Sequence, residues 1–119
     1  VVQGGAGVDG VREILYHYCL LRKDLPLGDL LAQAIHASGE SAALLARPLP
    51  ENTHAVALYA PDEAALHDLS ARLTFENIPH KLICEPDFPY LNQAVALGII
   101  PQPRARLRKL LGKYQLIRT

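Results

Sequence analysis

Two cysteines in 119 residues leave little scope for thiol chemistry. Cys19 and Cys84 stand far apart in apolar segments, too few and too distant for a CxxC site or a disulfide framework. They are read as buried thiols of a reducing, cytoplasmic compartment, with a single bridge between them left open. The five histidines are scattered without the carboxylate or thiol spacing of a metal site, so no metal is expected. Nothing in the chain calls for a cofactor. No run reaches the roughly 18 apolar residues of a membrane helix, and no early positive cluster leads into an apolar run as a signal peptide would. The first residue is not Met, which leaves room for an unseen leader. Also absent are a GxSxG elbow, a Walker loop and a dinucleotide fingerprint, which excludes serine esterases of that design, nucleotide hydrolases and Rossmann dehydrogenases. The GGAG of residues 4–7 follows no strand and is not a phosphate loop.

Net charge is missing too, since twelve basic residues balance twelve acidic ones. Their distribution is uneven. All twelve carboxylates and six of the basic residues precede residue 100, while Arg104, Arg106, Arg108, Lys109, Lys113 and Arg118 follow it. A body of charge −6 therefore carries a tail of +6, a pattern that points to a polyanion partner or to a well-solvated terminal helix. Half of the residues are apolar, enough for one compact domain with a modest core. Residues 1–10, VVQGGAGVDG, read as a flexible arm and residues 11–119 as the single domain.

ILYHYCLL, residues 14–21, is apolar apart from His17 and reads as an interior strand covered on both faces. After RKDLPLG, a helical period runs from Asp29 to about Ala46, with Leu31, Ala34, Ile35, Ser38, Ala42 and Leu45 as the expected core stripe. HAVALYA, residues 54–60, is the second strand. Pro61, Asp62 and Glu63 open a second helix, in which Leu66, Leu69 and Leu73 recur at helical spacing. HKLICE is the third strand, residues 86–92 an ordered loop with two prolines, and QAVALGII the fourth strand. A basic helix from about Arg104 to Leu111 is closed by Gly112, and QLI could add a short final edge. The expected fold is α/β, a small four-stranded mixed sheet flanked by helices in the order β-α-β-α-β-β-α.

On a helical wheel Asp29, Gln33, His36 and Glu40 share a narrow sector, opposite Leu31 and Ala42. The start of that helix follows a strand, where α/β proteins hold ligands. An imidazole there exchanges protons near neutral pH, and Asp24 or Asp87 could orient it or a water. The competing account is a histidine on a solvated face. Asp87, at the end of the third strand, is either functional or a turn carboxylate. His17 and His54 read as structural or surface groups. PRARLRKLLGKY spreads its charges over more than one face, which suits phosphate contacts without base reading, as well as a solvated helix end.

Several segments together resemble the archaeal and eukaryotic, second-class peptidyl-tRNA hydrolases: RKDL after the first strand, AQAIHAS, APDEAAL, NIPHKLICEPD and QAVALGIIP before the basic helix. The resemblance spans roughly residues 14–117. It implies a small mixed sheet, a homodimer, and hydrolysis of the ester between a peptide or aminoacyl group and tRNA, in translation. It also implies catalytic roles for His36 and Asp87, with Gln33 and Asp24 beside them and Arg22 completing the family's R-x-D. Two positions depart from the family: Asp29 stands where the family has a lysine, and the loop after Asp87 reads FPYL where the family has A-G-R-T, so that Tyr90 replaces arginine and Leu91 threonine. The expected chemistry is esterolysis without metal. A water lies between Asp87 and the carbonyl, Asp87 or His36 takes its proton, and backbone N–H groups at the start of the Asp29 helix meet the oxyanion. Arg22, Arg104, Arg106, Arg108, Lys109 and Lys113 are the expected RNA contacts. The alternative is an inactive RNA-binding or homodimeric regulatory domain of the same fold.

Overall fold

The computed structural model describes residues 14–118. The arm expected over residues 1–10 and the domain start expected near Val11 lie outside the described residues. Five strands and three helices follow in order: β1 (Tyr16–Arg22), α1 (Leu27–Ala43), β2 (His54–Ala60), α2 (Glu63–Phe75), β3 (His80–Glu85), β4 (Gln93–Ile99), a 3-10 turn (Arg104–Leu107), α3 (Arg108–Leu111) and β5 (Gln115–Leu116). They form one mixed sheet in the order β3-β4-β1-β2-β5. The β1–β2 pair is parallel and the others are antiparallel. The α/β class stands, but the expected four strands are corrected to five, because Gln115 and Leu116 pair with Tyr59 and Leu58 and cover the outer edge of β2.

Strand direction decides where a site can form. Both β1 and β3 run antiparallel to β4, and β2 runs parallel to β1. The carboxyl ends of β1, β2 and β3 therefore share one rim with the start of β4 and with the first turns of α1 and α2.

One face of the sheet is covered by α2 and the C-terminal segment. Leu66, Leu69 and Leu73 are wholly buried against Leu20, Leu97 and Ile99, and Leu107, Leu110 and Leu111 extend the same core. Each such leucine stabilises the fold by about 1.5–3 kcal/mol before chain entropy is counted. Asp62 caps α2, its carboxylate accepting from the Ala65 N–H at 2.9 Å.

The other face belongs to α1, which does not sit as its pattern suggested. Its buried residues are Gln33, Ala37 and Ser41, whereas Leu31 and Ile35 of the expected core stripe are 55% and 74% exposed. The reason is close backbone packing. At Gly98 of β4 an added Cβ would lie 2.3 Å from the Ala37 carbonyl oxygen and 2.4 Å from Ser41 Oγ, so only the small-residue face of α1 fits over the strand. Ser41 Oγ donates to the Ala37 carbonyl and accepts from His17 Nε2 at 2.7 Å. This hydrogen bond lets a histidine be buried on β1, and burial pushes its imidazole below the ordinary value.

Both cysteines are free thiols. Cys19 is buried and pushed up to about 11 by desolvation. Cys84, expected to be buried as well, is exposed, because β3 is an edge strand with an irregular register between Ile83 and Cys84.

Candidate functional site

The rim at the carboxyl ends of β1, β2 and β3 gathers polar side chains from five elements. At its centre is Glu85, the last residue of β3. One of its oxygens accepts from Gln33 Nε2 at 2.8 Å and the other from the Asp87 backbone N–H at 3.1 Å. These two donors, the Asp87 N–H foremost, hold the Glu85 carboxyl below its usual range, and the charge of neighbouring His36 acts in the same direction. Gln33 and the Asp87 backbone N–H thus meet at a carboxylate that the sequence reading passed over, and His36, one turn or less along α1 from Gln33, lies within electrostatic range of it. His36 and Asp87 are exposed, while Gln33 is 4% exposed. With its Nε2 engaged, Gln33 keeps an Oε1 that is buried and has no hydrogen-bond partner. Such an orphaned acceptor is uncommon in a folded chain and marks a place where a polar partner is missing.

A second cluster adjoins the first. Arg22, at the end of β1, is 7% exposed. Its Nε and Nη2 donate to Asp24 at 3.0 and 2.6 Å, and its Nη1 to Gln93 Oε1 and the Ala94 carbonyl at 2.9 and 3.0 Å. Four of the five guanidinium donors face protein atoms, so Arg22 anchors the rim from inside and offers little to an outside phosphate. Its hydrogen bonds hold the Asp24 carboxyl below the usual carboxylate range. Tyr90 lies over the guanidinium, 5.8 Å from ring centroid to Cζ, and its Oη donates to Asp29 at 2.7 Å. The hydrogen bond to Asp29 raises the phenol above its ordinary value. Asp29 and Tyr90, the positions where family cations are replaced, are therefore partners in one contact tying the start of α1 to the loop before β4. Glu63, in the first turn of α2, accepts from the Ala94 N–H at 2.8 Å and closes the rim.

The first turn of α1 opens onto this crevice. Pro26 at its N-cap has no N–H and no side chain caps the helix, so the first N–H groups keep their donor capacity. Gly28 in this turn is exposed, and a Cβ there would meet nothing within 4 Å.

The basic C-terminal residues are not part of the crevice. Arg104 lies 4.9 Å over the ring of Tyr16, at the opposite end of β1 from Arg22, about 20 Å away by strand rise. From there the segment returns along the sheet, so that Lys113 and Lys23 line one hollow beside Tyr59. Arg104, Arg106, Arg108, Lys109 and Lys113 are exposed, and Arg106 donates to the Glu76 carbonyl. Among the described residues no group of three or more His, Cys, Asp or Glu side chains could hold a metal ion, and no helix is long and apolar enough to cross a membrane.

Glu85, Tyr90, Gln93 and Glu63 are the site residues that sequence reasoning missed. Glu85 had one available signal: it ends a strand two residues before Asp87, on the rim where α/β sheets present functional groups.

Among known proteins, the family model described as peptidyl-tRNA hydrolase PTH2 matches residues 15–117. No curated protein matches the sequence. Of the solved structures, a protein of unknown function from Agrobacterium tumefaciens strain C58 is similar with a TM-score of 0.69 at 15% identity, over 87% of this chain and 98% of that one. At that identity the likeness speaks for the fold alone.

Proposed function

The chain belongs to the peptidyl-tRNA hydrolase PTH2 family and hydrolyses the ester that joins a peptidyl or aminoacyl group to tRNA; we propose that it does so in the crevice around Glu85. The observation that carries this assignment is the Glu85 carboxylate, which bonds Gln33 and the Asp87 N–H within electrostatic range of His36.

In the proposed mechanism His36 takes the proton of the attacking water, and the Glu85 carboxylate beside it stabilises the imidazolium that forms. Asp87 orients the water. As water adds to the carbonyl, negative charge grows on the carbonyl oxygen, and the open N–H groups at the start of α1 receive it. When the C–O bond to ribose breaks, His36 returns its proton to the departing oxygen. Gln33 Oε1, buried and unpartnered, accepts from a ribose hydroxyl and fixes the ester. Arg22 and Asp24 act through Gln93 and Tyr90 as positioning residues. The family lysine is absent, and Asp29 is engaged by Tyr90, so dipolar rather than cationic stabilisation carries the oxyanion.

The tRNA phosphates are assigned to Arg104, Arg106, Arg108, Lys109 and Lys113, a stretch without a carboxylate. A homodimer is assigned to the exposed face of α1, where Leu27, Leu31 and Ile35 repeat every four residues. The free thiols suit a reducing, cytoplasmic compartment. Hydrolysis of an N-acetyl-aminoacyl-tRNA tests the active site. His36→Ala, Glu85→Gln and Asp87→Asn are each expected to lower kcat/KM by about 100-fold or more while unfolding as wild type. Full turnover in His36→Ala and Asp87→Asn would remove the crevice from the chemistry.

A further inference from the structure

On the sheet face opposite α1 the C-terminal segment does not close fully onto the strands. It leaves an open groove of about 520 Å³, within the size range of small-ligand sites. Val56 and Leu58 of β2 form an apolar floor beside the ring of Tyr18, and Arg104, Arg108 and Tyr114 come from the other wall.

Three features distinguish this groove from an ordinary packing gap. No carboxylate lines it, and among the described residues neither Arg104 nor Arg108 has a carboxylate partner, so two guanidinium charges stand over an apolar floor without a counter-ion. Both lie near enough to act on the Tyr18 hydroxyl. The Tyr114 hydroxyl is buried without a hydrogen-bond partner, an arrangement that destabilises the fold unless something completes it. Asp68 and Arg72 of α2 lie beyond that hydroxyl with opposed charges and supply no bond to it.

An apolar floor with tyrosine rings accepts a flat body by its face, and two guanidinium groups without a carboxylate partner, Arg104 resting on the Tyr16 ring, accept a phosphate with paired N–H bonds. We propose that this groove binds a nucleoside monophosphate unit, with the base on Val56, Leu58 and Tyr18, the phosphate across Arg104 and Arg108, and the Tyr114 hydroxyl hydrogen-bonded to the ligand. The unit is either a free nucleotide or an unpaired nucleotide of the RNA; the second source rests on the reading that the basic segment meets tRNA, and the first does not. The groove lies on the sheet face, away from the Glu85 rim, so it recognises without reacting.

Calorimetric titration of the intact chain with adenosine 5′-monophosphate, adenosine and inorganic phosphate tests the site. The monophosphate is expected to bind saturably and more tightly than either fragment. Arg104→Ala/Arg108→Ala is expected to weaken it at least tenfold. Tyr114→Phe is expected to weaken it several-fold while leaving the unliganded protein as stable as wild type or more so, because the orphaned hydroxyl is gone. A second titration with uncharged tRNA separates the sources: displacement of the monophosphate identifies an RNA nucleotide as the natural occupant, and simultaneous binding of both identifies a free nucleotide. No saturable binding of the monophosphate, or equal binding by wild type and the double arginine variant, overturns the proposal. Since the readout is binding, a failure of the hydrolytic assignment, seen as unchanged turnover in His36→Ala, is a separate result.

Discussion

Gly98→Ala is the sharpest perturbation of the fold that holds the site. The added Cβ would lie 2.3 Å from the Ala37 carbonyl oxygen, 2.4 Å from Ser41 Oγ and 2.8 Å from Ser41 Cβ. Ordinary contact between such atoms begins near 3.5 Å, so α1 must retreat from β4 by about 1 Å. None of the three atoms is the end of a long flexible side chain that could turn aside. Retreat also stretches the bond between His17 and Ser41 and opens space under Ala37, so the penalty falls at the upper end of the overpacking range, about 3 kcal/mol. At roughly 4 °C per kcal/mol for a domain of this size, the melting temperature should drop by about 12 °C. Gly39→Ala is the matched control: it lies in the same helix, its Cβ would meet nothing within 4 Å, and it should stabilise by about 0.5–1 kcal/mol through helix propensity. Thermal and urea unfolding followed by circular dichroism would measure both. Since α1 carries Gln33 and the open N–H groups, Gly98→Ala should also lower kcat/KM at temperatures where it remains folded. If Gly98→Ala melts with the wild type, α1 does not pack on β4 through Ala37 and Ser41, and the geometry of the crevice goes with it.

Other outcomes follow from single contacts. His17 has a folded-state pKa below its unfolded value of 6.5, so both states are neutral above that pH and its contribution is complete there. As pH falls through 6.5 the unfolded chain binds a proton that the folded chain refuses, and stability declines until the folded pKa is reached. His17→Gln should flatten that part of the urea-midpoint profile, and an unchanged acid limb would refute its assignment as a buried neutral base. The Tyr90–Asp29 bond should give a coupling of about 1 kcal/mol in a double-mutant cycle of Tyr90→Phe and Asp29→Ala; zero coupling would show that the contact is absent in solution. Ile35→Glu should convert the proposed dimer to monomer in sedimentation, and a wild type that sediments as a monomer would exclude that interface.

Strand and helix limits were largely legible because the relevant signals are local. HAVALYA is β2 from first residue to last, and Pro61, Asp62 and Glu63 start α2 where capping chemistry places them. The orientation of α1 was not legible. Its wheel offers a branched apolar stripe and a polar stripe, and the pattern favours burying the first. The buried face lies between them and consists of Gln33, Ala37 and Ser41, selected by the bare backbone of Gly98, which is 57 or more residues away in sequence. Residues spaced along one helix can be grouped by periodicity, but which group meets the sheet was decided by a distant strand. Glu85 escaped notice for a related reason: as one carboxylate at a strand end it carries no motif, and its role emerges only when β3 is set beside α1.

The replacements at positions 29 and 90 share one physical logic. In the family pattern both positions are cationic; here they hold a carboxylate and a phenol that bond to each other at 2.7 Å. A carboxylate alone at the start of α1 would repel both RNA phosphate and a developing oxyanion. The Tyr90 hydroxyl occupies one of its oxygens, and the same ring lies over Arg22, so the exchange keeps the loop attached to the rim without a surface cation. The crevice then contributes N–H dipoles and a carboxylate beside an imidazole but little positive charge, while positive charge without counter-ions is concentrated in the stretch from Arg104 to Lys113. On the proposed mechanism the two tasks of a tRNA esterase are thereby separated in space: the rim performs the acyl chemistry, and the attraction of the polyanion comes from the far end of β1 along the C-terminal segment. Raised salt should accordingly act on KM through that segment and leave kcat at the rim nearly unchanged.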